Sequence, residues 1–340
     1  MRKRTLIINT GGTISSIKTS NGYTPITGYV KSALEKIPCL KNNNMPDYVI
    51  KEYDPLLDSS NISIESWNKI GTDIKNEYQY YDGFVILHGT DTMSYTASIL
   101  SFMLENLGKP VIITGSQIPL LEFKSDAINN IITSLFFSSI QFIYEVCIYF
   151  NRYLLRGNRT KKMSTYCLNA FRSPNFSCLA FVGMSVKFYK ELLLPQPKKR
   201  FKLQKLNAKL IISFRLFPGI SIDILGRLLQ YPLHGLILET YGSGNAQNNN
   251  FQFLKILKRA CKNGILIVNC SQCIQGCVNM NQYLTGYWLK KLGLINGWDL
   301  TLEAAYCKLL YLLNKNLSIK VIKKMMVSNL CGELTVPYGV

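Results

Sequence analysis

Thr5-Leu6-Ile7-Ile8-Asn9-Thr10-Gly11-Gly12-Thr13 is the stretch whose reading decides the fold. The run Thr5–Asn9 has the length and apolar character of a buried strand. A glycine pair flanked by hydroxyl residues ends it. Glycine permits a sharp turn and lets a ligand approach the backbone closely. The same arrangement recurs in Ile86-Leu87-His88-Gly89-Thr90-Asp91-Thr92 and in Ile112-Ile113-Thr114-Gly115-Ser116-Gln117. A hydroxyl after a single strand is commonly a helix cap. Three similar exits, one carrying an aspartate, point to a binding site.

Further short apolar runs predict strands at Phe84–Leu87, Val111–Thr114, Val146–Phe150, Leu210–Phe214, Gly235–Leu238 and Ile265–Asn269. Between them, Thr96–Asn106 reads as a helix, with Ala97, Leu100, Leu104 and Leu107 on one face and Gly108 after its end. Strands alternating with helices predict an α/β fold with a mostly parallel sheet. Composition shifts over 188–209, where Pro195, Pro197 and Lys198-Lys199-Arg200 fall. That stretch reads as a linker between an N-terminal domain over 1–187 and a smaller α/β domain over 210–340. In an open parallel sheet, ligands bind beyond the carboxyl ends of the strands, so the glycine exits are where chemistry belongs.

The 340 residues are 47% hydrophobic, enough for a large core. The most apolar stretch, Ile128 to Phe150, is broken by Asn129, Asn130, Gln141 and Glu145. It predicts a buried helix followed by a buried strand, not a membrane span. The apolar run after Arg2-Lys3-Arg4 is too short for a signal peptide. A cytoplasmic protein with ten reduced cysteines is the expectation. The net charge is +19, but the basic residues are scattered and accompany runs such as Asn248-Asn249-Asn250. That pattern follows residue bias and gives no basic stripe for nucleic acid. Cys270, Cys273 and Cys277 lack a second ligand pair, which argues for thiols and against a metal site.

Thr10-Gly11-Gly12-Thr13-Ile14, together with His88-Gly89-Thr90-Asp91-Thr92, resembles the paired signatures of the L-asparaginase family. Similarity to its bacterial type I, cytosolic branch extends through Tyr53-Asp54-Pro55-Leu56-Leu57-Asp58-Ser59-Ser60, Gly115-Ser116-Gln117-Ile118-Pro119, Arg156-Gly157-Asn158-Arg159-Thr160 and Tyr241-Gly242-Ser243-Gly244-Asn245. It continues to Gly332-Glu333-Leu334-Thr335, nearly end to end.

The resemblance implies that Thr13 attacks the amide carbon of L-asparagine and that Lys162, linked to Thr90 and Asp91, acts as base. A lysine is normally charged at neutral pH, so burial or nearby positive charge must favour its neutral form. Arg159 and Lys161 are candidates to supply that charge. It further implies that Tyr23 sits near Thr13 on a mobile loop spanning Ser15–Thr24. Asp58, Ser59, Ser60 and Asp91 are implied to hold the amino acid's α-groups. Backbone N–H groups of Gly12 and Thr90 are the candidates for an oxyanion site. His88 and His234 are expected to be structural. No metal or organic cofactor is implied, while a homodimer or homotetramer is, with Asn245 near a neighbour's site.

The chain departs from the type I pattern where some members bind a second asparagine as activator. Glu239 stands in place of an arginine, and Lys161 in place of a threonine, while Cys273 matches. Opposite charges there predict a Glu239–Lys161 ion pair and weakened activation. A tRNA-dependent amidotransferase, which carries a similar domain after an extra N-terminal one, is a rival reading. An amino-acid-binding protein without activity is another, and the presence of Thr13, Tyr23, Thr90, Asp91 and Lys162 together argues against it.

Overall fold

A computed structural model describes residues 2–20 and 22–336; Asn21, within the loop expected to be mobile, lies outside the described residues. The chain divides between Lys205 and Leu206 into two compact units.

The first unit begins with β1 (Arg4–Gly11) and a 3-10 turn at Thr13–Ser15, followed by the β2 (Ser16–Thr19) and β3 (Gly22–Pro25) hairpin. Next come α1 (Tyr29–Leu34), β4 (Asp47–Leu57), α2 (Ile64–Glu77), β5 (Gly83–Leu87) and α3 (Met93–Met103). They lead to β6 (Leu104–Glu105), β7 (Val111–Thr114), α4 (Ala127–Ser138), β8 (Val146–Phe150) and β9 (Tyr153–Arg156). The unit closes with β10 (Lys161–Lys162), β11 (Phe171–Arg172), β12 (Ala180–Val182), β13 (Val186–Phe188) and β14 (Lys202–Leu203).

Eight strands form the main sheet, in the order β13-β12-β9-β8-β7-β5-β1-β4. The pairs from β4 to β8 are parallel, and those from β8 to β13 are antiparallel. Strands β5 and β7 are buried along their whole length, which is why they read as unbroken apolar runs. Helix α2 starts at Ser63, whose hydroxyl accepts from the Ser66 N–H, and buries Trp67, Ile70 and Ile74. Ile7, Val85, Ile112, Ile131, Leu135 and Phe137 share one core cluster, so α4 covers the sheet on one face.

The second unit is a smaller α/β layer. Strands β15 (Ile211–Arg215), β16 (Gly235–Thr240), β17 (Leu266–Ser271) and β18 (Ile295–Asn296) are parallel and pair in that order. Helices α5 (Ile222–Leu228), α6 (Phe251–Lys262), α7 (Leu284–Leu292), α8 (Leu302–Leu313) and α9 (Ile319–Met326) complete it. Leu225, Phe253, Leu257 and Leu289 pack against Leu236, Leu238 and Ile267 of the strands. Lys308 of α8 is fully buried, 2.5 Å from Glu333 and donating to the Met326 and Ser328 carbonyls.

One sequence expectation is corrected. The helix expected over Thr96–Asn106 runs from Met93 to Met103, because Leu104–Glu105 pair instead with Lys202–Leu203. That pairing involves two residues of the stretch 188–209, inside which the chain divides between its two units. Within it, Leu192 and Leu193 pack on the main core, and the Leu194 N–H donates to Glu145 at 2.9 Å. No described helix is long and apolar enough to cross a membrane.

Glu145 anchors β9 as well. Arg156 donates to its carboxylate through Nε at 2.6 Å and Nη2 at 3.2 Å, and both side chains are buried. Removing one partner leaves an uncompensated buried charge. Glu145→Ala should therefore lower unfolding stability by about 3–5 kcal/mol, measurable by urea titration.

Candidate active site

Strands β7, β5 and β1 are neighbours in the sheet, so their carboxyl ends lie side by side. At the first of these exits Gly12 adopts a φ of +85°, and a Cβ placed there would meet the Gly89 Cα at 2.3 Å. A Cβ on Gly89 would meet the Ser59 Oγ at 2.4 Å. Backbone therefore touches backbone between the Thr13 and Thr90 loops, and Ser59 closes the third side. The Thr92 hydroxyl ties Ser59 down by donating to its carbonyl at 2.7 Å.

Thr13 opens the 3-10 turn directly after Gly12 and is half-buried. Among the described residues its hydroxyl carries no hydrogen bond. Thr90 is buried and Asp91 is exposed. Lys162 reaches both: its Nζ donates to Thr90 Oγ1 at 2.8 Å and to Asp91 Oδ1 at 2.7 Å. The 3-10 turn Gly157–Arg159 packs on α3 and leads the chain to Lys162. Asp58 accepts from the Ser60 N–H at 2.9 Å, shaping the turn that carries Ser59 and Ser60.

His88 is structural, as its sequence context implied. The Trp67 Nε1–H can only donate, and it does so to Thr96 Oγ1 at 3.0 Å. The Gly89 carbonyl can only accept, so His88 Nδ1 carries the proton and donates to it at 2.7 Å. Nε2 of the neutral ring is then the acceptor, and the Thr96 O–H donates to it at 2.9 Å. A neutral imidazole thus braces the peptide preceding Thr90, and full burial pushes its pKa down to about 4.

The resemblance implied Tyr23 near Thr13, and its hydroxyl is engaged with a different side chain. Tyr23 lies on the β2–β3 hairpin, is 53% exposed, and donates to Glu122 Oε1 at 3.4 Å. No hydrogen bond joins it to Thr13. Glu122 carried no sequence signal. Gln117 did stand in the third glycine exit, where it received no role. Its Oε1 accepts from Thr90 Oγ1 at 3.5 Å, and its Nε2 donates to the Cys167 carbonyl at 3.2 Å.

In the second unit, Glu239 is engaged within its own sheet. Ser213 Oγ donates to it at 3.1 Å, and Arg215 lies 3.9 Å away. Asn245 accepts from Thr285 Oγ1 at 2.7 Å. Lys161 lies on β10, and Cys273 is exposed. Cys270 is buried, and burial pushes its thiol up to about 12. None of the ten cysteines is joined in a disulfide. Among the described residues, no group of three or more His, Cys, Asp or Glu side chains is placed to hold a metal ion.

Residues 4–194 match the family "Asparaginase, N-terminal", and residues 211–326 match the family "Glutaminase/Asparaginase C-terminal domain". The chain belongs to the asparaginase family. L-asparaginase 1 of Escherichia coli strain K12 is 45% identical over 336 residues, 98% of this chain and 99% of that protein. The crystal structure of L-asparaginase I from Vibrio cholerae superposes with a TM-score of 0.90 at 42% identity, covering 99% of this chain and 100% of that one. The thermostable L-asparaginase from Thermococcus kodakarensis gives a TM-score of 0.88 at 30% identity, covering 98% of this chain and 100% of that one. In this asparaginase-family chain, the fold of both units is therefore the family's.

The buried His88 makes stability depend on pH. Its folded-state pKa lies below the value near 6.5 of an unfolded histidine, so below that pH the unfolded chain binds a proton that the folded chain refuses. This contribution is present above pH 6.5 and is lost as pH falls towards 4, amounting to about 3 kcal/mol there. Urea unfolding across that range should show the slope, and His88→Gln should flatten it.

Proposed function

We propose that this protein hydrolyses the side-chain amide of L-asparagine to L-aspartate and ammonia through an acyl enzyme on Thr13. The observation that carries this reading is Lys162 Nζ lying within hydrogen-bonding reach of both Thr90 and Asp91. They belong to a strand exit packed directly against the Thr13 loop. Membership of the asparaginase family supports the substrate.

In the proposed cycle the substrate's α-ammonium pairs with the exposed Asp91 carboxylate. Its α-carboxylate takes donors at Ser59 and Ser60, with Asp58 fixing their turn. The arriving ammonium puts positive charge beside Lys162 and favours the neutral amine that a base must be. The Thr13 hydroxyl attacks the amide carbon, and its proton passes through the Thr90 hydroxyl to Lys162. The oxyanion is met by the Gly12 and Thr90 N–H groups, each of which would contribute roughly 2.7–4 kcal/mol. The C–N bond breaks as Lys162 returns the proton, and ammonia leaves. Water, deprotonated by the same base, then cleaves the acyl-threonine ester to give aspartate. Tyr23 joins when the β2–β3 hairpin closes over substrate, exchanging its Glu122 contact for Thr13. No step calls for a metal or organic cofactor. The proposal includes a cytoplasmic location and a homodimer or homotetramer, the latter checked by sedimentation.

Purified protein given asparagine should release ammonia and aspartate in equal amounts. Thr13→Ala should abolish turnover. Lys162→Met should reduce kcat by roughly 10²–10⁴, the range for loss of a general base. Ammonia release by Thr13→Ala at the wild-type rate would overturn the assignment. With Glu239 and Lys161 at the effector positions, initial rates should rise hyperbolically with asparagine. A sigmoidal curve would show that the activator site survives.

A further inference from the structure

The Thr13 loop is held by a side chain that the proposed chemistry does not use. Asn9 lies at the end of β1, where register with β4 breaks: Asn9 still pairs with Glu52, but Gly11 pairs with Leu57. At this break the Gly11 N–H donates to Asn9 Oδ1 at 3.1 Å. The same oxygen accepts the Ser15 hydroxyl at 2.9 Å. One fully buried side chain therefore grips the chain two residues before Thr13 and two residues after it. Because both contacts are donors, the amide orientation is fixed, and Asn9 Nδ2 faces outward to donate to Glu52 Oε1 at 2.8 Å.

Glu52 extends the connection. Its second oxygen accepts the Gly28 N–H at 2.7 Å, just past the β2–β3 hairpin that carries Tyr23. The hairpin's neck is closed by the Ile26 N–H donating to the Ser15 carbonyl at 2.9 Å. Ser15 thus belongs both to the Asn9 grip and to the base of the hairpin.

We propose that Asn9, oriented by Glu52, is a positioning residue that sets the placement of Thr13 and couples it to the neck of the Tyr23 hairpin. This rests on the reading of Thr13 as nucleophile. The role predicts a loss concentrated in the chemical step, because a nucleophile displaced by an ångström loses reactivity out of proportion to binding.

The experiment uses the full-length protein and two substitutions that together keep every hydrogen bond. Asn9→Asp alone sets one carboxylate against another at 2.8 Å and breaks the brace. Adding Glu52→Gln restores it. The carboxylate introduced at position 9 accepts from Gly11, from Ser15 and from the new amide at position 52, and the oxygen of that amide accepts from Gly28. Asn9→Asp and Asn9→Ala should lower kcat at least tenfold with KM changed less than threefold. The double variant N9D/E52Q should recover most of the lost kcat. Amide hydrogen exchange at Gly11 should quicken in Asn9→Ala and return to the wild-type rate in the double variant. Full kcat in Asn9→Ala, or no recovery in a folded double variant, would overturn the proposal. The exchange measurement stands apart from activity. If Thr13→Ala proves active while exchange responds as expected, the nucleophile assignment has failed and the brace has not.

Discussion

Everything at the candidate site depends on two glycines in contact. Gly12 and Gly89 end adjacent parallel strands, and neither has room for a Cβ. Side chains of any size would hold the two exits apart. With none, the backbones meet, and the residues that follow, Thr13 and Thr90, are presented to one space. Parallel pairing supplies the rest of the condition, because only parallel neighbours bring both exits to the same edge of a sheet.

Around that contact lie groups that hold and groups proposed to act. The holding groups are buried and saturated. Asp126 accepts the Gln117 and Ile118 N–H groups at 3.1 and 3.0 Å, fixing the third exit. Glu145 and Arg156 fix the start of the segment that runs on to Lys162. His88 is kept neutral, so it braces a loop without adding charge to it. The groups proposed to act are partly open: the Asp91 side chain is 64% accessible, and that of Lys162 is 18%. An ion pair so exposed contributes little to stability. Its carboxylate is free to take a second cation.

Buried parallel strands write themselves plainly in sequence, since helices cover both faces and every position is apolar. Val111–Thr114 and Val146–Phe150 have the limits expected of them, and the apolar stretch from Ile128 does contain a helix and then a strand. Edge strands obey no such rule. In β4 only Tyr53 is buried, and Asp47–Leu57 gave no apolar run to read. Helix α3 was misjudged at its end because Leu104 is apolar in either state, and only a partner strand a hundred residues away decides between them. The site was legible where motifs carry it. Its supports were not: a Glu122 or a Glu52 becomes meaningful only through a neighbour distant in sequence.

The buried pairing of Lys308 with Glu333 has a consequence for the order in which the chain is made. The first unit closes on itself by Lys205, so its core can assemble while the remainder is still being synthesised. The second unit has no such freedom. Until residue 333 has been added, the buried ammonium of Lys308 on α8 lacks the carboxylate that lies 2.5 Å from it, and the helix gains less by docking. Completion of that unit is thereby deferred until Glu333 has been added, and a ribosome that stalls before Glu333 would leave a finished first unit tethered to an unfinished second one.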